Sequence, residues 1–172
     1  MANLIYHGTV YNFDLPSLSK CKDRKDFGRG FYLAEDIWHA RSVATKGYIT
    51  KGYNGKKYIY SYKIDVREMR EIGLNVHIFK SVNYAWLDYI IKNRNMLNVE
   101  NYDVVVGPTA DRTAQESVVQ FYTQYGLSAT NLEKDRLIKG LKAENYSKQY
   151  CFKTQKAIDY LNNHFCERRS FE

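Results

Sequence analysis

The sequence predicts an α+β fold in which helices flank a largely antiparallel or split β-sheet. Short β-prone runs and segments of helical periodicity are mixed along the 172 residues, without regular βαβ alternation. Apolar residues make up 44% of the chain, which is enough to build a packed core. Only two prolines occur, and no linker-like stretch or internal repeat divides the sequence. We therefore expect residues 1–172 to form a single domain.

The first third of the chain should supply three strands and a helix. Residues 4–6 form a β-prone run that ends at His7, and residues 31–33 form a second such run. The segment that follows has the spacing of one helix face at Ile37, Ala40, Val43 and Ala44. Residues 52–55 have turn chemistry, and residues 57–65 alternate well enough for a strand with one buried face. This order places the second run directly before a helix.

The middle of the chain should add two strands and a helix. Residues 74–79 are typical of a strand. Residues 84–92 favour a helix that packs on the sheet, because apolar residues recur at helical intervals at Trp86, Leu87, Ile90 and Ile91. Residues 102–106 indicate a buried strand, which Gly107 and Pro108 break.

The last third should be mainly helical. Residues 115–125 and 132–141 favour helices, and residues 150–152 form the final short strand. Thr154 is a good N-cap for a closing helix, whose apolar residues are Ala157, Ile158 and Leu161. The pattern therefore predicts that a helix is the last element of the chain.

Charge and the amino-terminal sequence bear on partners and location. A net charge of +7 would attract polyanions such as nucleic acid, although the basic residues are scattered and a solvated surface explains them at least as well. The first residues lack the basic and apolar regions of a secretory signal, and no apolar run reaches membrane-spanning length. We expect a soluble cytoplasmic protein without membrane association.

The cysteines and histidines indicate neither a disulfide framework nor a metal site. The three cysteines are odd in number and have no paired spacing with histidines: Cys21, Cys151 and Cys166. Three of the four histidines have no companions at metal-ligand spacing: His39, His77 and His164. We expect reduced thiols and no bound metal.

Three short strings, far apart in the sequence, carry the strongest functional signal. They are YHGT at residues 6–9, FGRGFYLA at residues 27–34 and KQYCF at residues 148–152. The first two resemble the His-Gly-Ser/Thr and Gly-x-Gly-x-Tyr-Phe-Ala signatures of ADP-ribosyltransferases of the poly-ADP-ribose polymerase and diphtheria-toxin type. The third stands where that group usually carries a glutamate. The resemblance implies an NAD-cleaving site, the split sheet of those enzymes, and a triad of His7, Tyr32 and Gln149.

The likeness extends over nearly the whole chain to a bacterial family of unknown function. The stretches that are similar to that family are residues 25–32, 86–94, 102–111 and 148–152. The family is regarded as ADP-ribosyltransferase-like, and its members often stand beside a small partner gene in a toxin–antitoxin arrangement. This resemblance implies a toxin that a small antitoxin protein controls.

The chemistry of such a site assigns a task to each string. Breaking the bond between nicotinamide and ribose builds positive charge on the sugar, so the site must hold the leaving ring and fix the ribose. His7 can hydrogen-bond a ribose hydroxyl, Gly8 lets backbone groups approach the nicotinamide amide, and Tyr32 supplies an aromatic face. Further NAD contacts are expected from Thr9, Arg29 and Gly30, with Arg29 reaching the diphosphate.

Gln149 departs from the pattern of the resembled enzymes. A carboxylate would stabilise the ribosyl cation by its charge, whereas a neutral amide only hydrogen-bonds a ribose hydroxyl. The departure argues against polymer formation more than against transfer of one ADP-ribose. Another carboxylate could help instead, and spacing does not select among Asp111, Glu116 and Glu144. For Asp111, an ion pair within the loop and a contact with substrate both remain open.

The function that these observations predict is mono-ADP-ribosyl transfer from NAD to a macromolecule, either protein or nucleic acid. Two alternatives remain. A catalytically weak module could bind NAD or an ADP-ribosylated partner, which the neutral Gln149 would favour. An NAD glycohydrolase would use water as the acceptor and release free ADP-ribose.

Overall fold

Seven strands and six helices make up the described part of the chain. The computed structural model describes residues 2–53, 55–97, 99–109, 112–141 and 147–172, and for residues 112–115 the backbone alone. The strands are β1 (Asn3–Thr9), β2 (Phe31–Ala34), β3 (Lys57–Ile64), β4 (Val76–Ile78), β5 (Val104–Pro108), β6 (Lys148–Phe152) and β7 (Phe165–Phe171). The helices are α1 (Ile37–Thr50), α2 (Val66–Glu71), α3 (Tyr84–Arg94), α4 (Arg112–Tyr125), α5 (Asn131–Gly140) and α6 (Gln155–Asn163).

All seven strands join one mixed sheet in the order β4-β5-β6-β2-β1-β3-β7. The β4–β5 pairing is parallel, and the other five pairings within the described residues are antiparallel. The prediction of an α+β protein with a largely antiparallel sheet is therefore confirmed.

The sheet opens between β1 and β2, a place that we call the seam. These two strands are in register at a single pair, Tyr6 with Ala34, whereas β1 pairs with β3 along its whole length from Asn3 to Thr9. The seam divides the sheet into one half with β4, β5, β6 and β2 and another with β1, β3 and β7. Beyond that pair, β1 and β2 share no further register partners within the described residues.

The two faces of the sheet carry separate cores, because successive strand residues point to opposite sides. Along β5, Val104 and Val106 belong to the core that packs on α6 and α2, whereas Val105 belongs to the core under α3 and α4. Trp86 of α3 and Phe152 of β6 are fully buried at the centres of these two cores. The strands thus fix which side chains can reach a site on either face.

Most of the predicted elements are confirmed, and their caps explain where the helices begin. Thr154 caps α6 as predicted, through its side-chain oxygen and the Ala157 N–H. Asp36 begins α1 by accepting from the N–H groups of Trp38 and His39. The strand predicted to end at His7 continues to Thr9, since β3 pairs with it that far.

Several expectations are wrong or incomplete. Gly107 and Pro108 do not break the strand predicted at residues 102–106, because β5 continues to Pro108, which pairs with Lys148 of β6. The chain does not end in a helix, because β7 follows α6 and pairs with β3 as an edge strand. The short α2 has no counterpart among the predicted elements. On α1, Ala40 and Ala44 are buried as expected, whereas Ile37 and Val43 are exposed by 37% and 49%. The small residues face the sheet because the helix approaches β1 too closely for larger ones.

In the described part of the chain, no helix combines the length and the apolar character that crossing a membrane requires.

Candidate functional site

A cleft with a volume of about 820 Å³ lies on one face of the sheet, beside the seam. Helix α1 forms one wall through residues such as His39 and Lys46. The loop at residues 24–26 and the end of α3 contribute to the opposite side, and strand residues supply the floor. Four of the predicted site residues line this cleft: His7, Gly8, Tyr32 and Gln149. The structure therefore brings members of all three sequence strings together.

Strand pairing places Tyr32 and Gln149 on the same face. Ala34 is the direct partner of Gln149 across β2 and β6, and Tyr32 lies two residues before Ala34. Alternate residues of a strand share a face, and so do direct cross-strand partners. Tyr6 extends this row across the seam by pairing with Ala34. The side chains of Tyr32 and Gln149 are thus neighbours on the floor of the cleft.

His7 lies at the seam, and its ring belongs to the opposite face. The ring stacks on Phe31 with 4.2 Å between centroids, and His7 pairs with Tyr60 of β3. Its Nδ1 lies 2.7 Å from the carbonyl oxygen of Tyr32. Because a carbonyl only accepts, the proton is on Nδ1, and Nε2 remains an acceptor without a partner among the described residues. The His7 ring thus bridges the two halves of the sheet.

Burial sets the charge of His7. It lowers the pKa of the imidazole from 6.5 to about 4, and the hydrogen bond to Tyr32 opposes this shift without cancelling it. In the unfolded chain, His7 therefore binds a proton near pH 6.5, whereas in the folded protein it binds one only near pH 4. Protonation of His7 therefore does not affect the free energy of unfolding above pH 6.5. As the pH falls from 6.5 toward 4, it lowers that free energy by up to about 3 kcal/mol.

We expect His7 to stay neutral at pH 5 when its imidazole is titrated by NMR. In urea unfolding, the wild type should lose more stability than His7→Asn between pH 7.5 and pH 4.5, because the variant has no imidazole to protonate. A His7 titration midpoint near 6.5, or equal losses in the two proteins, would contradict the burial of this ring.

Gly8 is required by the packing of α1. A Cβ at this position would overlap the carbonyl oxygen of Ala40, which belongs to the backbone of the helix. The space above the Gly8 Cα is therefore occupied by protein. Gly8 lines the cleft, where it has no side chain to present.

Tyr32 anchors the loop that precedes it. Its hydroxyl accepts from the Phe27 N–H at 2.9 Å and donates to the Gly28 carbonyl at 2.8 Å. Gly28 has a φ of +82°, a conformation that side chains rarely adopt, so the tight turn under the tyrosine needs a glycine. Burial raises the pKa of Tyr32, which keeps the hydroxyl protonated as a donor.

Three of the expected NAD contacts lie outside the lining of the cleft. Arg29 donates to the carbonyls of Leu18 and Ser19. The Thr9 hydroxyl accepts from the Tyr11 N–H, and Gly30 packs against β6, where a Cβ would come within 2.8 Å of the Phe152 carbonyl. Their roles in NAD binding stay predictions, and other basic side chains line the cleft.

Four basic side chains line the cleft, namely Arg24, Lys25, Lys46 and Arg94. Among the described lining residues a single carboxylate, Asp26, opposes them. A cleft with this excess of positive charge concentrates anions such as a diphosphate. Sequence reasoning missed these residues. Arg24 and Lys25 lie two to three residues before the second string and could have been noticed, whereas Lys46 and Arg94 reach the cleft only through helix packing.

A partly buried ion pair lies beside Gln149. Arg94 donates from Nε and Nη2 to Oδ1 of Asp26, with the Nε contact at 2.8 Å. Gln149 Nε2 donates to Oδ2 of the same carboxylate at 3.4 Å. Asp26 is 6% exposed and Gln149 9%. The sequence separates Asp26 from Gln149 by 123 positions, so no local spacing could indicate this contact.

Of the three carboxylates considered as substitutes, Asp111 and Glu144 lie outside the described residues. Glu116 is exposed on α4 and does not line the cleft. Thr109 is a further candidate that the sequence did not single out. It lines the cleft, and its buried hydroxyl has no hydrogen-bond partner among the described residues. A ligand hydroxyl or amide would satisfy such a group.

Within the described ranges, no three His, Cys, Asp or Glu side chains come together as a metal site would require. A comparison with protein families matches residues 3–163 to the family described as a protein of unknown function, DUF3990. No curated protein and no solved structure matches the chain.

Proposed function

The chain belongs to the DUF3990 family, whose function is unknown, and we propose that it is a mono-ADP-ribosyltransferase with NAD as the donor. Its acceptor would be a protein or a nucleic acid. The observation that carries the proposal is the cationic cleft lined by His7, Gly8, Tyr32 and Gln149. Residues from three distant strings line this one cleft. If each string served only to build the fold, they would have no reason to meet there.

In the proposed reaction, the bond between the ribose C1 and the nicotinamide nitrogen breaks, and its electron pair leaves with nicotinamide. A nucleophilic oxygen or nitrogen of the acceptor bonds to C1 and loses a proton. The transition state resembles an oxocarbenium ion, so groups that hold the ribose and the leaving ring lower the barrier.

The cleft offers a group for each of these tasks. The ring of Tyr32 and the backbone edge of Gly8 would hold the nicotinamide, and Gln149 would accept a hydrogen bond from a ribose hydroxyl. His7 would keep Tyr32 in place through the hydrogen bond from its Nδ1 to the Tyr32 carbonyl. The diphosphate would lie against Arg24 and the lysines of the cleft.

We further propose that the protein acts as a toxin whose activity a small antitoxin protein restrains. This part rests on the resemblance of residues 25–32 and 102–111 to a bacterial family of unknown function, whose members often stand beside a small partner gene in a toxin–antitoxin arrangement. Induced expression in a host cell should stop growth, and the Tyr32→Ala variant should not. Equal growth arrest by both proteins would contradict a toxic activity that depends on the cleft.

Transfer is tested with NAD labelled in its adenylate phosphate, the purified protein and a host lysate that is afterwards split between nuclease and protease. We expect label in a macromolecule, and Tyr32→Ala should reduce it at least a hundredfold because the ring holds the leaving group. Tyr53→Ala removes an exposed tyrosine outside the cleft and should leave transfer unchanged. Free ADP-ribose without labelled macromolecule would favour the glycohydrolase, and intact NAD the binding module.

Lys46→Glu tests the cleft without disturbing the core, since Lys46 is exposed on α1. Reversing its charge should raise the KM for NAD threefold to tenfold and leave kcat nearly unchanged, because the residue would act on the diphosphate and not on the reacting carbon. Lys139→Glu makes the same change on an exposed face of α5 outside the cleft and is the matched control. Identical KM values in both variants would exclude the proposed NAD orientation.

A further inference from the structure

We propose that Asp26 and Arg94 position Gln149 so that its Oε1 is the acceptor presented to the ribose of NAD. In this arrangement the negative charge beside the site belongs to Asp26, and Gln149 is the amide that donates a hydrogen bond to it. The inference rests on the proposed NAD chemistry of the cleft. It assigns Asp26 and Arg94 as positioning residues, because they act through Gln149.

The orientation of the Gln149 amide follows from the ion pair. Both donating nitrogens of Arg94 are directed at Oδ1 of Asp26, which leaves Oδ2 for Gln149. A carboxylate paired with a guanidinium can only accept hydrogen bonds, so the amide must turn its NH2 group toward it. The opposite end, Oε1, has no donor among the described residues. The amide therefore offers an acceptor to whatever enters the cleft.

The backbone holds Gln149 as firmly as the side chains do. Gln149 pairs with Ala34 of β2 on one side and with Gly107 of β5 on the other. Asp26 is tied to the end of α3 through Arg94, so two separate parts of the chain converge on the amide. A group fixed from both sides loses little entropy when a ligand binds, which favours a defined ribose orientation.

This geometry gives a reason for a glutamine, and not a glutamate, at position 149. A carboxylate at position 149 would face Oδ2 of Asp26 at the 3.4 Å that now separates the amide nitrogen from it. Two like charges would then share one guanidinium in a buried place, which disfavours ionisation of both. Glutamine is thus the residue that a carboxylate at position 26 requires, and a glutamate at 149 would not improve the enzyme.

The test compares the wild type with Gln149→Glu, Asp26→Asn and the double variant that exchanges the two groups. We expect Gln149→Glu to lower kcat for nicotinamide release at least tenfold with less than a threefold change in KM. Asp26→Asn should also lower kcat, because nothing then forces the amide orientation. The double variant restores one carboxylate and one amide and should recover kcat to within about threefold of the wild type.

Gln120→Glu makes the same chemical change on an exposed position of α4 and should leave kcat as it is. Two results would overturn the inference. One is a Gln149→Glu variant that is as fast as the wild type or faster, which would make the glutamine a plain replacement of a catalytic glutamate. The other is a double variant that is no better than the worse single variant.

Thermal unfolding of the same four proteins separates this inference from the proposed function. The pairing predicts that Gln149→Glu unfolds at a lower temperature and that the exchanged pair recovers the loss, whether or not NAD is turned over. Additive changes in the unfolding temperature would overturn the pairing. Coupled unfolding temperatures in a protein that never cleaves NAD would instead overturn the proposed function, together with the ribose role of Gln149.

Discussion

Gly8→Ala should destabilise the folded protein by about 3 kcal/mol or more, which places it among the most damaging single substitutions in this chain. The added Cβ would overlap the carbonyl oxygen of Ala40. That atom belongs to the backbone of α1 and cannot rotate away like the end of a side chain. Helix α1 would have to leave the sheet, and the wall of the cleft would move with it. Urea unfolding measures the loss of stability.

Gly47→Ala is the matched control, because it adds the same methyl group to α1 itself. A Cβ at Gly47 would lie 3.9 Å from the Val10 side chain, which is ordinary van der Waals contact. Alanine also favours the helical conformation over glycine, so this variant should gain about 0.5 to 1 kcal/mol. If Gly8→Ala were as stable as the wild type, the close approach of α1 to β1 would be wrong. The packing of α1 on Gly8, which forms the wall of the cleft beside the seam, would then be wrong as well.

Some elements of the fold could be predicted from the sequence and others could not. Strand β2 and helix α3 are predicted correctly, because their signals are local runs of β-prone residues or of helical spacing. Strand β7 is missed because most of its side chains are exposed and its pairing partner β3 begins 108 positions earlier. Edge strands of this kind carry little apolar alternation, so pattern alone favours the preceding helix as the end of the chain.

The residues of the candidate site also fall into those that the sequence indicates and those that it does not. His7, Tyr32 and Gln149 are found from short strings, since each lies on or beside a strand that the pattern predicts. Asp26 and Arg94 are not found, because their importance depends on the packing of α3 against the loop before β2. The short strings therefore indicate side chains that line the cleft, and the fold is needed to identify the residues that contact them.

Arg94→Met should cost about 3 kcal/mol of stability because it leaves the Asp26 carboxylate buried without its partner. The aspartate side chain is 7% exposed and that of the arginine 22%, so water replaces little of the lost interaction. Methionine keeps most of the apolar stem of the arginine, which isolates the effect of the charge. Chemical unfolding at neutral pH measures the difference from the wild type.

Adding Asp26→Asn to Arg94→Met should recover most of this loss, because the neutral amide no longer needs a cation. Arg169→Met breaks an ion pair with Glu167 on β7, where the two side chains are 75% and 44% exposed, and should change stability by less than about 1 kcal/mol. Whether Asp26→Asn restores the stability lost in Arg94→Met decides whether that loss comes from the unpaired carboxylate. If the double variant is as unstable as Arg94→Met alone, the cost does not come from an unpaired Asp26 carboxylate, and the electrostatic support of Gln149 by this pair is excluded.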